Sequence, residues 1–121
     1  MNITDYTGKA YNFRTYNCWH HVSKVRHDAG LATPDFNVAN PMLINYAFDS
    51  GHKNSKGLVR QQIPEDFDIV LLGFKHAGRI VWHSGVYHGG NVSHCERIAK
   101  QVKYEPLADL KAVYTEVEFW R

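Results

Sequence analysis

Two alternating runs, residues 78–87 and 91–98, flank the tetrad His88-Gly89-Gly90-Asn91, and this arrangement constrains the chain more than any other stretch. Paired glycines between strand-like runs predict a tight hairpin, because the favoured two-residue turns need φ > 0. A two-residue turn at Gly89-Gly90 and a four-residue loop at 88–91 give the same parity. In both, Tyr87 faces Val92 and Gly85 faces His94. His83 lies two residues from Gly85, so it shares a strand face with His94, as a diagonal neighbour roughly 7–8 Å away at Cα. A loop of odd length would turn His94 to the other face.

The rest of the second half also reads as β-rich. Residues 67–74 (FDIVLLGF) form an apolar strand, 102–104 a short strand and 106–110 one helical turn. Residues 112–120 alternate as a last strand, with Val113, Thr115, Val117 and Phe119 on one face. The first half differs. Residues 1–17 read as a loop or short helical turn. Residues 18–30 read as a helix, with Cys18, Trp19, Val22, Val25 and Ala29 on a 3.6-period stripe, Asn17 as N-cap and Gly30 as terminator. Residues 31–41, with Pro34 and Pro41, are irregular; 42–48 suit a short helix and 50–57 a loop. Residues 58–63 fit neither period, and Pro64 closes them. A helix carrying the cysteine, packed on an antiparallel sheet, is an α+β architecture. No repeat or linker divides residues 1–121, which are expected to form a single domain.

With 44% hydrophobic residues, the chain can bury a core without disulfide staples. The first 60 residues carry seven Lys/Arg against four Asp/Glu, the remaining 61 seven against eight. Neither half is basic enough to track phosphates, so a nucleic-acid partner is not expected. No run approaches the roughly 18 apolar residues of a membrane span. Residues 1–6 have neither the basic start nor the apolar run of a secretory leader. The expectation is synthesis in a reducing cytoplasm, where a Cys18–Cys95 disulfide is disfavoured.

Cys18 falls in the first turn of the predicted helix. Unpaired N–H groups and the positive dipole end there stabilise a thiolate, and the same groups suit an oxyanion. A free cysteine is also a common small core residue. His83 and His94 are likewise ordinary strand residues when taken singly. Their shared face, joined to a helix-start Cys, favours a nucleophile with an oriented base. A metal site drawing on His83, His88, His94 and Cys95 is the rival reading. His94 and Cys95 point to opposite faces of one strand, which opposes it. No metal or other cofactor is expected. His21 and His27 are expected to face solvent, and the scattered Lys and Arg to form a solvated surface.

These segments resemble the NlpC-type bacterial papain-like cysteine peptidases. The cysteine segment is Tyr16-Asn17-Cys18-Trp19-His20-His21-Val22, and the approach to the first long strand is Pro64-Glu65-Asp66-Phe67-Asp68-Ile69-Val70. The base strand is His83-Ser84-Gly85-Val86-Tyr87, and the third residue falls in Val92-Ser93-His94. Gly8-Lys9-Ala10-Tyr11 resembles the family's upstream tyrosine segment, so the likeness runs from about residue 8 to 95. It implies a papain-like fold with Cys18 as nucleophile, His83 as base and His94 as orienting residue. It implies oxyanion or substrate contacts from Tyr11, Asn17 and Trp19. The implied reaction is amide cleavage in peptidoglycan stem peptides. Three positions depart from the pattern. Wall-cleaving members carry Asp-Cys-Ser where this chain has Asn17-Cys18-Trp19, a form similar to that of phage-encoded, tail-associated members. Phe67 stands where the family has Gly before Asp68. The resemblance thus implies phage tail or tail-tip partners and a virion-associated location after synthesis. A catalytically weak structural component of such a tail is the alternative.

Overall fold

Asn17 fixes where the first helix begins. In the computed structural model, which describes residues 1–34 and 57–121, its Oδ1 accepts from the N–H groups of Trp19 (3.1 Å) and His20 (3.2 Å). His20 Nδ1 reciprocates by accepting from Asn17 N–H (3.1 Å). This is a capping box with histidine in place of the usual Glu or Gln. The helix, α1, spans Cys18–Asp28. It ends as expected at Gly30, where φ is +80°. Gly30 N–H donates to His27 O and Leu31 N–H to Arg26 O, the bond pair of a Schellman motif. A 3₁₀ turn, Ile3–Tyr6, precedes the helix and sends Ile3 into the core.

Six strands follow: β1 (Arg60–Gln61), β2 (Ile69–His76), β3 (Arg79–His88), β4 (Asn91–Glu96), β5 (Gln101–Pro106) and β6 (Glu116–Trp120). They form one antiparallel sheet in the order β1-β6-β2-β3-β4-β5. A second helix, α2 (Leu107–Val113), joins β5 to β6. The architecture is α+β, as the sequence implied. The helix proposed for 42–48 and nearly all of the loop proposed for 50–57 lie outside the described residues.

Period-2 alternation along β2 divides the core between the two faces. Ile69 and Leu71 join Trp19, Val22, Val25, Val86 and Trp120 on the α1 face. Val70 and Leu72 join Val92, Leu110 and Phe119 on the α2 face. A continuous apolar strand such as FDIVLLGF suits a sheet covered on both sides.

Several boundaries differ from the expectation. The last strand begins at Glu116 rather than 112, because the helical turn continues: Tyr114 N–H donates to Leu110 O. Val113 therefore lies on the helix and is exposed, while Val117 and Phe119 keep their shared face. The first long strand begins at Ile69, not Phe67. Phe67 has φ +72°, a left-handed conformation that explains why a glycine suits this position. The bulky residue is held there by bonds at both ends of its peptide units. Its N–H donates to Tyr87 O (2.7 Å), and its carbonyl accepts from the Arg26 guanidinium (2.6 Å). Arg26 is itself buried and also donates to Thr33 Oγ1 and Ala32 O. It was expected on a solvated surface; its guanidinium instead ties two loop carbonyls and a loop hydroxyl together. Asp68, also buried, accepts a two-pronged pair of bonds from Arg121 (2.8 and 2.9 Å).

The hairpin has the even parity expected of it. Gly89 (φ +57°) and Gly90 (φ +86°) form the turn, and His88↔Asn91, Tyr87↔Val92 and Val86↔Ser93 are paired. The ladder between β3 and β4 stops there, although β3 continues along β2 and β4 along β5. Gly85, the next residue, fits closely against β4. A Cβ at this position would lie 2.6 Å from Val92 Cγ1, 2.9 Å from Ser93 O and 3.0 Å from His94 Cβ. Gly85→Ala is therefore expected to lower stability by about 1–3 kcal/mol, as overpacking does, read as a lower urea midpoint with an unchanged slope.

Candidate active site

Where the β3–β4 ladder stops, a cleft of about 360 Å³ opens. Its wall includes Cys18 from the first turn of α1, Cys95 from β4, His83 from β3 and Tyr114 from the turn after α2. Strand alternation places Cys95 on the α1 face, whereas His83 is on the α2 face opposite Leu72. The cleft thus collects groups from both sides of the sheet.

Behind His83 runs a chain of hydrogen bonds. His83 Nε2 meets His94 Nδ1 at 2.8 Å, and His94 Nε2 meets Glu105 Oε2 at 2.8 Å. A carboxylate only accepts, so His94 donates from Nε2. In the neutral tautomer, its Nδ1 is left as an acceptor for the His83 Nε2–H. That leaves the lone pair of His83 on Nδ1, the nitrogen not held by the relay. His94 is 1% exposed, and Glu105 Oε1 accepts from the Lys103 ammonium (2.8 Å). Tyr114 lies nearly parallel to the His83 ring, at an interplanar angle of 17°. The relay fixes both the orientation and the tautomer of His83, an arrangement that suits a general base beside a nucleophile.

The electrostatics favour a neutral resting pair. Burial pushes the Cys18 thiol up, while the Ser84 hydroxyl and the N–H groups of Ser84, Trp19 and Cys18 partly oppose that rise. Burial, then the neighbouring His94 and His21, push His83 down to about 3. Both directions disfavour a thiolate–imidazolium pair at neutral pH. Ser84 Oγ is buried with no hydrogen-bond partner among the described residues, so its hydroxyl is free to donate to a sulfur that loses its proton. Cys95 differs: burial and the neighbouring Cys18 push it up to about 12, and its Sγ lies 3.5 Å from Tyr16 O.

The residues named from sequence fall in three groups. Cys18, His83, Asn17 and Tyr11 line the cleft, with His94 directly behind His83. Asn17 acts there as the helix cap that orients the first turn. Trp19 does not reach the cleft: it is 2% exposed in the α1-face core, and its indole N–H donates to Pro34 O (3.2 Å). Its expected substrate contact is corrected on that ground. His21, expected at the surface, is buried between the Tyr16 hydroxyl (2.7 Å) and Ser93 Oγ (2.8 Å). Sequence reasoning missed Ser84, Glu105 and Tyr114. Ser84 and Tyr114 gave no signal of their own, and Glu105 falls next to His94 only once β5 is paired with β4.

The metal set His83, His88, His94 and Cys95 is not assembled. His88 is beside Tyr104 and Asp66, and Cys95 is on the opposite face from His94. Among the described residues, the donors that do converge are His94, Glu96 and Glu105, within 4.8 Å of one another. Both nitrogens of His94 are already engaged, and Lys103 holds a Glu105 oxygen, so a cation would have to break the relay to bind. Comparison of the chain with family models, with curated proteins and with solved structures gave no match.

Two outcomes follow from these environments. His21 is pushed down to about 3 by burial, then by His94 and Lys9. Its neutral form is favoured in the fold, so its contribution is complete above its unfolded value of about 6.5 and is lost as pH falls towards 3. Unfolding free energy should fall between pH 6.5 and 4, with up to about 1.4 kcal/mol per pH unit from this imidazole; His21→Gln should flatten the slope. In native protein, iodoacetamide followed by peptide mapping should modify Cys18 well before Cys95, and Ser84→Ala should slow that reaction.

Proposed function

We infer that the chain is a thiol hydrolase of the NlpC type that cleaves an amide bond by acyl transfer through Cys18. The observation that carries this reading is the His83–His94–Glu105 relay, which leaves His83 Nδ1 as the basic atom in a cleft shared with a cysteine at a helix start. In the proposed reaction, His83 Nδ1 takes the Cys18 proton as sulfur attacks the carbonyl. The backbone N–H of Cys18 and the Tyr11 hydroxyl hold the oxyanion, and burial beside the two thiols keeps that hydroxyl protonated. His83 then protonates the leaving amine, and water releases the thioester. The proposed substrate is a peptidoglycan stem peptide and the proposed setting a phage tail, both resting on the order of the motifs along the chain.

A second reading is a tail component with little or no catalysis. The neutral resting pair and the low exposure of Cys18, 8%, favour it. Digestion of purified peptidoglycan, with mass analysis of the products, separates the two. The hydrolase should release peptides, and Cys18→Ala should reduce release by at least about a thousand-fold at an unchanged unfolding midpoint. Because His83 remains unprotonated well below the usual imidazole range, the acid limb of kcat/KM should lie below pH 5 rather than near 6.5. Full activity of Cys18→Ala would end the hydrolase reading.

A further inference from the structure

Cys95 has no part in the proposed cleavage, yet it lines the same wall as Cys18, and both are free cysteines. Strand register brings them together. The last β3–β4 pair is Val86↔Ser93, and the same register carried two residues further sets Ser84 against Cys95. Ser84 lies opposite Leu71, so it points to the α1 face, which Cys95 also takes. The ladder has ended at that level, and the Cys18 sulfur meets the donors of Ser84 there. Cys18 and Cys95 therefore flank one position, the first from the helix and the second from the strand. The Cys95 sulfur also lies 3.5 Å from the carbonyl oxygen of Tyr16, two residues before Cys18. The two thiols differ in readiness. Cys18 is 8% exposed and faces the Ser84 donors, whereas Cys95 is fully buried. Oxidation follows access and thiolate character, so a small oxidant entering the cleft attacks Cys18 first. At Cys95, the Lys9 ammonium offsets part of the burial that opposes a charged sulfur. A disulfide carries no charge, so linking the sulfurs removes two groups whose ionised forms burial disfavours.

We propose that Cys18 and Cys95 form a reversible, peroxide-responsive pair, in which Cys95 closes an oxidised Cys18 into a disulfide and so shuts the site. The Cys18 sulfur attacks one oxygen of hydrogen peroxide; the O–O bond breaks, a sulfenic acid forms and water leaves. The Cys95 sulfur attacks the oxidised sulfur; an S–S bond forms, the S–O bond breaks, and the departing hydroxide takes the Cys95 proton to become water. The two thiols have then lost two hydrogens, and one peroxide has become two waters. An external dithiol reopens the bond by exchange and leaves as its own disulfide. In a reducing compartment such a bond is transient and regulatory. That closure silences catalysis rests on the hydrolase reading; the bond itself does not.

The test treats the intact protein with hydrogen peroxide, then alkylates it with iodoacetamide in denaturant for intact mass and peptide mapping. The expected product has lost two hydrogens, takes up no iodoacetamide and yields a linked pair of peptides carrying Cys18 and Cys95. Dithiothreitol should return both thiols. In Cys95→Ala, peroxide should instead add oxygen to Cys18, trapped by dimedone at the sulfenic stage and beyond recovery by dithiothreitol at the sulfinic stage. The wild-type readout needs no folded variant. Oxygen added to wild-type Cys18 while Cys95 still alkylates would overturn the pair. So would links formed only between copies of the chain, or two thiols left unchanged by peroxide. The outcome is separable from the hydrolase reading. A Cys18–Cys95 bond in a protein that releases no peptide from peptidoglycan upholds the pair and removes the activity. Peptide release that peroxide leaves unchanged, with no linked pair, does the reverse.

Discussion

The close approach of β3 to β4 at Gly85 is the constraint on which the site depends. No side chain fits there, since a single added carbon would come within 3.0 Å of three atoms of β4. That vacancy brings His94 against β3 and lets its ring meet the ring of His83 edge-on, with centroids 5.1 Å apart. The hairpin turn sets the parity that makes this meeting available. Glu105, delivered by the pairing of β5 with β4, then locks the second ring from behind. Each of the three strands contributes one side chain to a line of donors and acceptors, and a residue larger than glycine at 85 would break the line at its centre.

Burial has a cost for polar groups that must be met by partners. This chain meets it with several neutral or closely paired groups: His21 between two hydroxyls, Arg26 on backbone carbonyls, Asp68 in the fork of Arg121. Cys18 belongs to the same set. Its sulfur is surrounded by N–H groups and one idle hydroxyl, which stabilise a negative charge only when one develops. In the proposed reaction, donors already oriented in this way would stabilise the charge as it forms. Cys95, on the same wall, is instead pushed up by burial and by the neighbouring Cys18.

Much of the hairpin and of the helix is legible in the sequence, and the reasons are local. Gly89-Gly90 announced a turn, so the facing of His83 and His94 followed from strand parity alone. Asn17 and Gly30 bracketed the helix by their capping chemistry. The misreadings share a cause: they concern residues whose partners are distant in sequence. His21 looks solvent-facing until Ser93, 72 residues later, is placed against it. Arg26 looks like surface until Phe67 O arrives 41 residues away. The helical stripe of α1 is therefore wider than its apolar residues suggested. Phe67 is instructive in the opposite direction. The departure from glycine was visible in the sequence, but its left-handed backbone and the bonds that hold it were not.

The two halves of the candidate site belong to different cores. Cys18 is rooted in the cluster beneath α1, whereas His83 leans on Tyr114 and the cluster beneath α2, with the sheet between them. Their separation is thus set by how two independently packed layers seat on a common partition. A void opened under one layer would shift the sulfur and leave the imidazole in place; a void under the other would do the opposite. The proposed chemistry would therefore gauge the relative seating of the two cores, and remote packing changes would register there before they registered as unfolding.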